Sequence, residues 1–166
     1  MSTVEPPLPA FQFFVTLDPA DAYLPPLQAQ LVPLVAAGAF QEVRGLGADL
    51  EVTGYPEGGV NDYVHQLPVR HTWQRISLRR GLVRNASLWD WYVAGLTMSL
   101  GARRDGAVFL LTPGGTPAYA WTFRAGLAVK WSGPDLNAMQ SNVAIESLEI
   151  AHEGLDQIVL SAPGTL

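Results

Sequence analysis

Hydrophobic and polar positions alternate with a period of two along most of this chain. In residues 11–18, Phe11, Phe13, Val15 and Leu17 share one face, while Gln12, Phe14, Thr16 and Asp18 share the other. That spacing predicts a strand with one buried side. Residues 39–44 and 48–53 predict two more strands on either side of Gly45-Leu46-Gly47. Residues 72–80 alternate as well, with Ile76 and Leu78 inward and Arg75, Ser77 and Arg79 outward. A short apolar run at 107–111 follows a turn at Asp105-Gly106, and Tyr119, Trp121 and Phe123 alternate with smaller neighbours. Segments 127–131, 143–151 and 157–160 bring the expectation to about eight or nine short strands. Short strands punctuated by Gly and Pro predict a mainly β fold, a small antiparallel barrel or sandwich.

One stretch has helical spacing instead. Leu88, Trp91, Tyr92 and Gly95-Leu96 form a stripe over about 87–98, with Ser87 and Asp90 placed as a reciprocal cap and Gly101 as a stop. So short a helix must lay its aromatic face on a sheet. Leu88, Trp91 and Tyr92 are therefore read as core rather than as a cofactor stack, and Trp89 points elsewhere, toward a neighbouring subunit. In residues 19–38, Leu27, Leu31, Leu34 and Val35 fit a helical stripe that Pro33 interrupts, after the stiff entry Pro25-Pro26.

Composition adds two constraints. A chain of 166 residues is most simply one domain, residues 1–166, with residues 1–10 as a flexible acidic, Pro-rich arm. Charged residues are only 15% against 48% hydrophobic, with five Trp. That balance fits either a large core or apolar surface that self-association covers. The net charge of −5 speaks against bulk attraction to nucleic acid or an anionic membrane. Without cysteine there is no disulfide, thiolate ligand or thiol nucleophile. The start lacks the basic and apolar regions of a signal peptide, and no run is long enough to span a bilayer, so synthesis in the cytoplasm is expected.

Catalytic chemistry finds little to work with. His65 and His71 flank Leu67-Pro68 and are read as hydrogen-bonding residues of a loop rather than a metal pair. His152-Glu153 lacks the second histidine of a His-Glu-x-x-His site. Gly45-x-Gly47 lacks the third glycine of a nucleotide loop, and Gly114-Gly115 reads as a hairpin turn. Ser87, Ser99, Ser132 and Ser141 sit in no nucleophile elbow. No catalytic, metal or cofactor residue is assigned, and no enzyme is required.

Four blocks, in order, carry a resemblance. They are Gly58-Gly59-Val60-Asn61-Asp62-Tyr63-Val64-His65-Gln66-Leu67-Pro68, then Leu88-Trp89-Asp90-Trp91-Tyr92, then Val129-Lys130-Trp131-Ser132-Gly133-Pro134-Asp135-Leu136-Asn137-Ala138. The last is Val143-Ala144-Ile145-Glu146 running into Ile150-Ala151-His152-Glu153-Gly154-Leu155. Together they resemble the tail tube proteins of contractile phage tails and phage-tail-like injection systems, over roughly residues 11–155. Two departures stand out. Twenty residues, 19–38, are inserted where family members have a very short turn, and Pro68-Val69-Arg70 replaces the family's Pro-Gly-Arg.

The resemblance implies a non-enzymatic subunit of hexameric rings, stacked into a hollow tube that sheath contraction drives into a target. Residues 42–80 become an extended hairpin and loop reaching between rings, its tip formed by Gly58, Gly59, Val60, Asn61, Asp62 and Tyr63. Arg79 and Arg80, with Glu146 or Glu149, become contacts to a subunit seam or the sheath. Strand alternation places Glu146 and Glu149 on opposite faces. Implied partners are further copies of the chain, sheath, baseplate and tube-cap proteins, and cargo in the lumen, without sequence-specific nucleic-acid binding. The alternatives are a specialised initiator ring joining tube to baseplate, and, in a different class, a monomeric β-barrel that binds a small ligand.

Overall fold

The computed structural model describes residues 8–10, 12–17, 35–36, 40–59, 62–84, 86–98 and 102–160. Most of the expected N-terminal arm and of the 19–38 insertion, with its stripe through Leu27 and Leu31, lies outside the described residues.

In chain order the first strands are β1 (Phe13–Leu17), β2 (Val35–Ala36), β3 (Phe40–Arg44), β4 (Ala48–Tyr55), β5 (His65–Trp73) and β6 (Ile76–Gly81). Helix α1 (Ser87–Met98) follows, then β7 (Arg104–Leu111), β8 (Pro117–Ser132), β9 (Ile145–Ala151) and β10 (Gly154–Val159). All pairings are antiparallel.

The spine is β8, at 16 residues the longest strand. The two segments expected at 119–123 and 127–131 are one strand, bent where Ala125 takes a positive φ of 52°. Asp105 accepts a hydrogen bond from the Ala125 N–H at 2.7 Å and holds the bend. One edge of the first half of β8 pairs with β7, which leads to β1 and β2. Along the other edge, β9 and β10 run as one nearly continuous partner, from Ser132↔Ser147 to Tyr119↔Val159. On the far side of β9 lie β6 and then β3. Among the described residues this path ends on β2 and β3 without pairing them, so the sheet is folded over but not closed by hydrogen bonds.

Folding it over makes one core. Val15, Leu17, Val108 and Phe123 join Ile76, Leu78, Leu148 and Ile150 in a single buried cluster, which α1 enters with Leu88 and Trp91. Each side chain buried this completely adds roughly 1.5–3 kcal/mol of transfer free energy. Trp91 also donates its indole N–H to the Ala102 carbonyl at 2.8 Å, so its polar edge is satisfied inside the core. Tyr92 is half-buried against the same cluster. The interior is thus filled by side chains. The helix start differs from expectation, because the first helical bond runs from the Asp90 N–H to the Ala86 carbonyl. Ser87 therefore stands inside the first turn rather than capping it, and its hydroxyl meets Arg80 instead.

Two strand boundaries also move. The run at 72–80 is interrupted at Gln74–Arg75, which separates β5 from β6. His65 and His71, read as loop residues, lie within β5. That strand is exposed on both faces, contains Pro68 and is bulged at Val69, so it has no clean alternation for periodicity to reveal.

Candidate assembly surface

Strands β4 and β5 form a two-stranded ribbon that, among the described residues, pairs only with itself. All of β4 is exposed, as is β5 apart from its two ends. At about 3.3 Å per residue the eight residues of β4 span about 26 Å. The register sorts its side chains. Ala48, Leu50 and Val52 share one face with Trp73, His71 and Pro68. Asp49, Glu51, Thr53 and Tyr55 share the other with Thr72, Arg70, Leu67 and His65. One face is thus largely apolar and the other largely polar. An isolated two-stranded ribbon is marginal in water, and apolar residues such as Leu50, Val52 and Leu67 are left exposed by this subunit.

Val69 is the extra residue of a bulge between Glu51↔Arg70 and Val52↔Pro68. A bulge shifts the alternation by one, so His65 and His71 end on opposite faces. They do not converge on a common ligand. His65 Nε2 instead meets Glu57 Oε2 at 2.9 Å, and Tyr63 stands edge-on to His65 at 5.1 Å, bracing the tip from within. His71 lies against Trp73. Of the expected tip residues, Gly58, Gly59, Asp62 and Tyr63 are exposed at the ribbon's end, while Val60 and Asn61 lie outside the described residues.

The ribbon joins the body through two short crossings. At Gly45 φ is +83°, and a Cβ there would lie 1.9 Å from the Arg75 carbonyl oxygen, so both conformation and space exclude a side chain. The Gln74 N–H donates to the Gly47 carbonyl at 3.1 Å, tying the two crossings together. His152, from the β9–β10 turn, places Nε2 3.0 Å from the Gln74 carbonyl oxygen and Nδ1 3.0 Å from that of Gly154. Its ring also lies 5.9 Å from Trp73. Sequence reasoning considered His152 only as a broken metal motif. Its role needs Gln74, 78 positions away, to be brought beside it.

The four charged residues expected at a seam separate into two pairs with different fates. Arg80 and Glu146 are buried and bound to each other inside the subunit, so the expectation of a seam or sheath contact is corrected for both. Arg80 shares the inward face of β6 with Ile76 and Leu78, and Glu146 shares that of β9 with Leu148 and Ile150. Arg79 and Glu149 point outward. On that outer face each carboxylate serves two cations. Glu42 is held by Arg79 at 3.0 Å and by Arg44, and Glu149 by Lys130 at 3.0 Å and Arg75 at 3.6 Å. The hydrogen bond from Arg79, reinforced by Arg44, holds the Glu42 carboxyl below its ordinary range against a smaller opposing effect of desolvation. Lys130, with Arg75, does the same for Glu149.

Trp89 is partly exposed, 4.8 Å edge-on from Trp131. Among the described residues no group of three or more His, Asp or Glu is placed to hold a metal. Nor is any helix there long and apolar enough to cross a membrane.

Comparison with known proteins identifies the family to which this sheet-built body belongs. The family described as T4-like virus tail tube protein gp19 matches residues 9–156. The chain belongs to that family. Tail tube proteins are structural, so this is a structural protein rather than an enzyme, and a component of a phage tail or tail-like particle. Comparison with curated proteins gave no match.

Solved structures share the tail tube fold. A chain in the cryo-EM structure of the anti-feeding prophage baseplate superposes with a TM-score of 0.75 at 23% identity, over 93% of this chain and 97% of that one. A chain of the sheath–tube complex of the extracellular contractile injection system PVC, in its extended state, gives 0.74 at 19%, covering 95% of each. Hcp1 from Flavobacterium johnsoniae is more distant, at 0.51 and 13%, over 89% of this chain and 94% of that one.

Proposed function

We propose that this tail tube protein is the inner tube subunit of a contractile injection apparatus, made in the cytoplasm and assembled as stacked hexameric rings. A surrounding sheath contracts and drives the hollow conduit into a target. One observation carries the reading: in a chain of the tail tube family, the ribbon of β4 and β5 exposes an apolar face that nothing described in its own subunit covers. Covering it with a neighbour removes that apolar area from water, and ring symmetry repeats the contact around the assembly. The ribbon's tip, with Gly58, Gly59, Val60, Asn61, Asp62 and Tyr63, is the stacking element in this reading. Arg79 and Glu149 point outward and so remain available for contact with another subunit or the sheath.

Electron microscopy of the untagged protein, with its mass from light scattering, tests this. Long hollow tubes or stacked rings are expected. Single six-membered rings that do not stack would point instead to a specialised ring joining tube to baseplate. A monomer at every concentration, alone and with a baseplate supplied, would overturn the assembly.

A further inference from the structure

The ribbon's tip has chemistry that its own subunit does not use. Gly58 has no positive φ, and a Cβ built there would meet nothing within 4 Å, so neither conformation nor internal packing calls for glycine at that position. Close approach by another surface does call for it. Asp62 has no ion-pair partner among the described residues, and Tyr63 is exposed with its ring edge-on to His65, which Glu57 holds in turn. Residues 48–73 hold four carboxylates, Asp49, Glu51, Glu57 and Asp62, against one guanidinium, Arg70. The ribbon is acidic.

The outer face of β3, β6, β9 and β8 has the opposite balance: Arg44, Arg79 and Lys130, with Arg75 at its edge, share Glu42 and Glu149, and Asp135 is a third carboxylate on the loop above. A cavity of ≈ 470 Å³ opens on this face where the 133–144 loop stands over the sheet. That is within the roughly 300–1,000 Å³ of sites that seat a small ligand or a few side chains. Arg79 and Ser147 line it from the sheet, Ser132, Asp135 and Asn142 from its rim, and Val143 adds an apolar wall. Arg79 spends one nitrogen on Glu42, which it shares with Arg44, leaving donor capacity for another carboxylate. Asp135 supplies an acceptor in the same cavity.

We infer that this cavity is the receiving site for the ribbon tip of a second copy. Asp62 accepts hydrogen bonds from Arg79, Tyr63 donates its phenol O–H to Asp135, and Gly58 allows the tip's backbone to lie against the rim. The pairing is heterologous, tip to cavity, so it leaves a free tip on one copy and a free cavity on the other. Such a contact propagates into a stack rather than closing a dimer. The inference rests on the tube reading and adds to it the identity of the surface that the tip meets.

Charge reversal with rescue tests it. Asp62→Lys and Arg79→Glu are each expected to cut the yield of sedimentable tubes roughly tenfold or more, because one weakened contact is repeated at every subunit. Asp62→Lys combined with Arg79→Glu restores the attraction with its sign exchanged and should return most of that yield. A double variant no better than either single one would overturn the pairing. Because Arg79→Glu also loses Glu42, a second test leaves that pair intact. The sequence has no cysteine, so Asp62→Cys with Ser147→Cys introduces the only two thiols. Oxidation of assembled tubes should then give covalent ladders of subunits on a denaturing gel, and tubes without ladders would equally overturn the pairing. Failure of the wild type to form rings or tubes would remove the tube reading itself, a different result from intact tubes without rescue or ladders.

Discussion

Arg80 and Glu146 sit directly opposite each other on β6 and β9, both only 2% exposed, with Nε 2.7 Å from Oε1. The second carboxylate oxygen accepts the Trp131 indole N–H at 3.2 Å, and Arg80 Nη2 donates to the Ser87 hydroxyl at 3.4 Å. The guanidinium also lies 5.9 Å over the Phe40 ring. This one pair therefore ties β6, β9, β8 and the start of α1 together, the function that replaces its expected seam contact. Removing one partner strands a buried charge, and Glu146→Ala should destabilise the subunit by about 3–5 kcal/mol in urea unfolding. Arg80→Met combined with Glu146→Leu should cost less than Glu146→Ala alone, since it leaves no orphaned charge. A Glu146→Ala subunit as stable as the wild type would refute this account.

The outer carboxylates predict a pH response. Arg79 and Arg44 depress the folded pKa of Glu42, and Lys130 and Arg75 that of Glu149, below the ordinary 4.5. A carboxyl depressed by folding contributes stability above its unfolded value and loses it as pH falls through the folded one. Subunit stability should therefore begin to decline near pH 4.5 and go on falling below it. The pairs are solvent-exposed, so the effect is small and fades with added salt. Unfolding midpoints between pH 6 and 3 would show it, and Glu42→Gln with Glu149→Gln should flatten the profile. An unchanged slope in that double variant would assign the acid response elsewhere.

Phe123 occupies a slot between two glycines. A Cβ on Gly106 would lie 2.5 Å from its Cζ, and one on Gly126 2.6 Å from its Cε2. Both contacts are too close for any real side chain, and the other nearest atoms are backbone, 2.7 Å away at the Thr16 oxygen and 2.9 Å at that of Arg104. Gly106→Ala or Gly126→Ala should thus cost about 1–3 kcal/mol by overpacking. Adding Phe123→Leu to Gly106→Ala should recover part of the loss, leaving a cost below the sum of the two single changes. Strict additivity in thermal unfolding would show that the ring is not what each methyl strikes.

Periodicity made legible what a local pattern can carry. The alternation read at 11–18, the strand read at 143–151 and the spacing of Leu88, Trp91 and Tyr92 correspond to β1, β9 and α1 because those elements bury one face. The ribbon was less legible in residue detail. With both faces exposed, β5 has no reason to alternate cleanly, and the bulge at Val69 shifts what alternation there is by one. Arg80 and Glu146 misled for a physical reason. Charge predicts exposure unless a partner is buried alongside, and that partner lies 66 positions away, across a sheet pairing that periodicity does not specify.

His152 supplies the last prediction, because it decides how firmly the ribbon is held. Both ring nitrogens face carbonyl oxygens, one in its own turn and one at Gln74 in the ribbon's base, while the ring contacts Trp73 and Phe123. The Gly47–Gln74 backbone bond and a 3.2 Å bond from Gln74 Nε2 to Asp49 lie within the ribbon and its crossings, so neither fixes the ribbon to the body. Besides His152, Leu46 packs against the core and Arg75 pairs with Glu149 on β9 through an exposed contact. His152→Ala should leave the core intact yet loosen the arm by about 1 kcal/mol, roughly fivefold in local opening. Amide hydrogen exchange reads this directly. Residues 48–73 should exchange faster, while β8 and β9 keep their protection. Uniformly faster exchange would make His152 a core residue, and no change would leave the crossings, with Leu46 and Arg75, to position the ribbon. If the ribbon is the stacking arm, the same variant should form shorter tubes from a normally folded subunit.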